Sequence, residues 1–72
     1  MRQQHQQEYE LIGANILFYR KKNGLTQAQL AEKAGLSTNH LQRIENAVSV
    51  PSLQALLDIA KALEIPAKKL FE

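Results

Sequence analysis

The chain has no cysteine, only two prolines and three glycines, and a net charge of just +2 over 72 residues. Without cysteine there is neither a disulfide framework nor a thiolate metal site, which suits a reducing compartment. His5 and His40 have no further ligand at metal spacing, so no metal is expected. No apolar run is long enough to span a bilayer. The opening residues, with Gln3, Gln4, Gln6 and Gln7, lack the apolar core of a signal peptide. A soluble, cytoplasmic protein is therefore expected. The charge excess is too small to argue for nucleic acid by itself. Strand-like alternation, internal repeats and linkers are missing. So are a nucleophile–base pair, a paired-carboxylate site and a Gly-rich phosphate loop, which speaks against an enzyme and leaves no cofactor to expect.

What is present is helical periodicity. At this length one domain is expected, with a core that is marginal unless its helices pack closely or the chain oligomerises. Residues 1–7 show no apolar period and read as a flexible polar arm ahead of a domain spanning 8–72. A first helix is predicted from about Glu8 to Asn23, with Ile12, Ile16 and Tyr19 on one face and Asn23-Gly24 ending it. Thr26 caps a second helix that runs to about Ala34, and Ser37 caps a third from Thr38 to Asn46. Between them Gly35 supplies the turn and Leu36 a wedge. Ala47 to Pro51 read as loop. Ser52 caps a fourth helix with an apolar stripe of Leu53, Leu56, Leu57, Ala60 and Leu63. Pro66 opens a short last helix carrying Leu70 and Phe71. The expected fold is all-α, a compact bundle of five short helices.

The stretch Thr26 to Asn46 carries the functional signal. Two short helices joined by a tight glycine turn form a helix-turn-helix, whose second helix can enter a DNA major groove. On that helix Leu41 and Ile44 take one face. Thr38, Asn39, Gln42 and Arg43 lie on the other, because 38 to 42 and 39 to 43 are four-residue steps. Arg bonds two acceptors of guanine, Asn or Gln does the same with adenine, and Thr touches a thymine methyl or shares a hydrogen bond. Taken alone, such a set is also what any solvated helix face looks like.

From Ile12 to Phe71 the sequence resembles the phage lambda repressor and Cro type of helix-turn-helix domain, the xenobiotic-response-element family. The matching residues are Ile12, Gly13, Ile16 and Arg20, then Leu25-Thr26-Gln27 with Leu30-Ala31, then Gly35-Leu36, Leu41, Ile44 and Glu45. Pro51-Ser52, Leu56, Ile59-Ala60, Ala62-Leu63 and Leu70-Phe71 continue the match. The resemblance implies base reading by Thr38, Asn39, Gln42 and Arg43. It also implies an ion pair between Arg20 and Glu45, with Arg20 near the DNA backbone. Gln27 and Asn46 are the expected phosphate contacts, joined by Ser37 and by His40, which otherwise faces solvent; Ser52 offers a similar helix N-terminus. Lys21 and Lys22 add screening charge.

The sequence departs from the family pattern in three places. Ala47 stands where glycine is common, and Asn46 is expected to take the left-handed conformation in its place. Glu64 also stands where glycine is common. Leu17 and Phe18 replace polar residues, so either Phe18 points outward beneath a cover or the first helix is rotated to bury one of the two. Family members commonly dimerise on palindromic sites, and Leu17, Phe18, Ile65 and Phe71 are the interface candidates. The expected function is a sequence-specific regulator of transcription, a repressor acting on double-stranded DNA as a homodimer. A restriction–modification controller, an antitoxin-like regulator and a protein-interaction module with an unidentified partner protein are the alternatives.

Overall fold

The computed structural model describes residues 4–72. Among these residues four α-helices and one 3₁₀ helix make up the regular structure: α1 Gln6–Lys22, α2 Gln27–Ala34, α3 Thr38–Glu45, α4 Leu53–Leu63 and the 3₁₀ helix Ala67–Phe71. The bundle is all-helical, as expected, although the fifth element is a 3₁₀ rather than an α-helix. Helix α1 starts two residues before the expected boundary. Gln6 and Gln7 therefore belong to the helix and not to an arm; residues 1–3 of the expected arm lie outside the described residues. The amide of Gln6 donates to the carbonyl of Ala47 at 3.0 Å, which ties the start of α1 to the loop after α3.

Hydroxyl caps begin the three inner helices. Thr26 and Gln29 form a reciprocal capping box, and Ser37 and Ser52 accept from the amides of His40 and Ala55. The ends are just as uniform. Each α-helix closes with a pair of reversed backbone bonds around one left-handed residue. Leu25 N–H reaches Arg20 C=O, Leu36 reaches Ala31, Val48 reaches Arg43 and Ile65 reaches Ala60, at 2.8 to 3.1 Å. The left-handed residues are Gly24, Gly35, Ala47 and Glu64. Asn46 is not among them. Its φ is −87°, and Ala47 carries the positive φ of 58°. Two of the four turns thus place an L side chain where Cβ crowds the following carbonyl, at roughly 1 kcal/mol or more each.

The core is a single cluster. Ile12 and Ile16 from α1, Leu30 and Ala31 from α2, Leu41 and Ile44 from α3, Leu56, Ile59 and Leu63 from α4, and Leu70 meet there. The stripe expected on α4 is rotated. Ala55, Leu56, Ile59, Ala60 and Leu63 face inward, whereas Leu53 and Leu57 are 68% and 49% exposed. Two asparagines extend the packing: Asn15 of α1 donates to the carbonyls of Leu70 and Glu72, and Asn23, which caps the end of α1, to that of Leu63. Where α1 crosses α3 the spacing is set by Gly13. A methyl group there would lie 2.4 Å from the Glu45 carbonyl oxygen and 2.8 Å from that of Ile44.

Two stability measurements follow. Glu64→Gly removes an exposed left-handed side chain and is expected to raise stability by about 1 kcal/mol, a shift of roughly 4–8 °C in Tm for a domain of this size. Gly13→Ala is expected to lower Tm by more than that, because backbone carbonyls cannot rotate aside as a side chain does. A thermal melt of the two variants beside the parent reads both.

Candidate nucleic-acid interface

Helix α3 presents two unlike faces. Leu41 and Ile44 are fully buried against the core, while Thr38, Asn39, Gln42 and Arg43 are all exposed along the opposite side. The buried pair fixes the helix rotation, so the four polar side chains project together from the outer surface. His40 is half-buried beside that row, and its backbone N–H is taken by the Ser37 hydroxyl at 3.0 Å. Asn46 follows α3 as an exposed residue at the edge of the same surface.

The last residue of α3 anchors the helix to its neighbours. Arg20 Nε donates to Glu45 Oε2 at 2.8 Å and Arg20 Nη2 to Glu45 Oε1 at 3.2 Å, a two-pronged pair. Gln27 Nε2 donates to Glu45 Oε1 as well, at 2.9 Å. Arg20 Nη1 closes the set on the Leu25 carbonyl at 2.9 Å. The side chains of Arg20 and Glu45 are only 10% and 3% exposed. Arg20 is therefore an internal strut, with little of its guanidinium left to meet a phosphate. Gln27 is half-buried on the first turn of α2, where the capping box engages Gln29 N–H and leaves the N–H groups of the first two residues unused by the cap.

Of the interface candidates, Phe18 is 58% and Phe71 49% exposed, and Leu17 is half-buried. Phe18 points outward, with its ring edge-on to Tyr19 at 5.1 Å. Ile65 instead packs partly buried against the core. Sequence reasoning missed that Val48, Val50, Leu53 and Leu57 are all exposed, each between 48% and 68%. Of these, Val48 lies at the C-terminal end of α3, where its N–H bonds Arg43 C=O. Spacing alone did not reveal the exposure, because α4 carries leucines on both sides and periodicity does not choose between them. Among the described residues no group of three or more His, Asp or Glu is placed to hold a metal, and no helix is long and apolar enough to cross a membrane.

Comparison with known proteins places these features. The helix-turn-helix family model HTH_3 matches residues 16–70. The HTH-type transcriptional regulator SlrR of Bacillus subtilis (strain 168) is 38% identical over 63 residues, covering 86% of this chain and 41% of SlrR. The chain thus spans less than half of that relative's length. The restriction-modification controller protein C.AhdI from Aeromonas hydrophila superposes with a TM-score of 0.86 at 30% identity, covering 88% of this chain and 96% of that one. The biofilm master regulator SinR in complex with DNA superposes with a TM-score of 0.80 at 35% identity, covering 85% and 98%.

Replacing Glu45 with alanine leaves Arg20 buried without its counter-charge and Gln27 without an acceptor. Glu45→Ala is expected to cost about 3 kcal/mol of stability. Urea unfolding of the variant at neutral pH measures it, and an unchanged midpoint counts against any structural role for the pair.

Proposed function

The chain belongs to the HTH_3 helix-turn-helix family of DNA-binding transcription regulators, and from that premise we propose that it represses transcription by binding a palindromic operator as a homodimer. The observation that supports this most is the division of α3 into a fully buried apolar face and an exposed face of Thr38, Asn39, Gln42 and Arg43. The domain runs from Gln6 onward and acts in the cytoplasm. Helix α3 enters the major groove, and its four outer side chains meet base edges. Gln27, Ser37, His40 and Asn46 meet phosphates around them, contacts that set register without reading sequence. Arg20 takes part through Glu45, whose carboxylate it shares with Gln27, by holding α3 against α1.

Two copies must set their reading helices about 34 Å apart to occupy successive turns of one DNA face. We assign that contact to Val48, Val50, Leu53 and Leu57, because this patch adjoins the C-terminal end of α3. The likeness to C.AhdI along nearly that protein's whole length supports a controller of restriction–modification genes as the second reading.

Selection from a random double-stranded DNA library at near-physiological salt is the test. An inverted repeat with half-site centres one helical turn apart is the expected product. Weak binding without enrichment, fading as salt rises, points to phosphate attraction alone and shifts the function to protein interaction. On the selected site, Arg43→Ala is expected to lose about 1–3 kcal/mol and its preference at one base pair. Gln27→Ala is expected to weaken all sequences alike. Titration of each variant against the selected and single-substituted sites by fluorescence anisotropy separates the two effects.

A further inference from the structure

Helix α1 carries a second exposed apolar face that DNA reading does not use. Leu11, Ala14 and Phe18 recur at spacings of three and four on one side of the helix, and Leu17 flanks them. Leu11 is 41% and Phe18 58% exposed. Ala14, Leu17, Phe18, Lys21 and Lys22 line one shallow, largely apolar groove. Gly13, which meets the backbone of α3, lies roughly 150° around the helix from Leu11 and Phe18 at 100° per residue. Whatever seats on this groove therefore sits on the far side of α1 from the reading helix.

The charges at the two ends of the face say what fits it. Glu8 and Glu10 are exposed near the start of α1, and Lys21 and Lys22 are exposed at its end. Glu10 makes only a long contact to Gln6, at 3.5 Å. Neither lysine is paired with a carboxylate among the described residues. A helix that is acidic at one end, apolar in the middle and basic at the other is complementary to its own reversed copy. The opposed helix dipoles favour the same arrangement. Ala14, the smallest side chain of the face, sits near its centre, where two crossing helices come closest.

We propose that α1 docks antiparallel on α1 of a second copy of this chain. The contact is isologous: Ala14 faces Ala14 near the two-fold axis, Leu11 meets Leu17 and Phe18, and Glu10 faces Lys21. It is separate from the Val48–Leu57 patch, so a chain that uses both joins dimers into larger assemblies and couples the occupation of neighbouring DNA sites. Its existence does not depend on DNA binding and is tested without DNA.

Sedimentation of the full chain from micromolar to millimolar concentration is the experiment, with far-ultraviolet circular dichroism to show that each variant is folded. The parent is expected to associate in two steps. Phe18→Glu abolishes one and Leu53→Glu the other. Glu10→Lys and Lys21→Glu each raise the dissociation constant of the α1 step by about tenfold or more, roughly 1.4 kcal/mol, and the double charge swap returns it toward the parent value. An association unaffected by Phe18→Glu, or a double swap no better than its single members, overturns the proposal. So does a parent whose whole association is removed by Leu53→Glu, which leaves the groove to a different protein. Failure of the operator selection with the α1 step intact touches only the DNA-binding reading.

Discussion

One carboxylate holds α3 in place. Glu45 ends α3 and accepts hydrogen bonds from Arg20 of α1 and Gln27 of α2, so three helices converge on two oxygen atoms. A nearly buried charge is costly unless it is paired and fully bonded, and here both oxygens are engaged. The cost of desolvating Arg20 and Glu45 is offset only while the geometry holds. A small shift of α3 against α1 therefore loses far more than one surface contact does. That steepness suits the DNA-reading role proposed for α3, in which outer side chains would act at distances where an ångström decides between a bond and none.

The rest of the molecule reinforces the same crossing. Gly13 lets the α1 and α3 backbones approach until a methyl group no longer fits, and Ile12, Ile16, Leu41 and Ile44 fill the space on the core side. Gln6 then ties the first turn of α1 to the carbonyl of Ala47, just beyond α3. Polar anchor, close backbone contact and apolar packing are three independent ways of fixing one helix, in a domain too small to rely on its core alone.

Much of this was legible before the structure, and the parts that were not share a physical cause. Thr26, Gly35, Ser37 and Ser52 announce helix ends through side-chain chemistry that acts over three or four residues, and those boundaries agree with the observed ones. The start of α1 carries no such mark: His5 caps it without a side-chain bond, so the helix reads as arm. The choice between Asn46 and Ala47 for the left-handed residue is fixed by a backbone pattern that repeats at all four helix ends, not by the preference of either side chain. The rotation of α4 depends on which leucines its neighbours can receive, a tertiary matter invisible to spacing. On the candidate surface, the outward placement of Thr38, Asn39, Gln42 and Arg43 follows from the period of α3. The resemblance implied the Arg20–Glu45 pair; that Gln27 shares the same carboxylate, and that Arg20 spends a further donor on the Leu25 carbonyl, required coordinates.

The sharp division of α3 has an evolutionary consequence. Its inward residues Leu41, Ile44 and Glu45 do the folding, and its outward ones contribute no hydrogen bond from their side chains to the rest of the described chain. Surface positions of this kind exchange residues within about half a kilocalorie per mole. The four outer positions thus form a cassette whose contents can be rewritten while the scaffold stays the same. If α3 reads DNA as proposed, new DNA preferences are open to this fold one substitution at a time, without passing through unfolded intermediates.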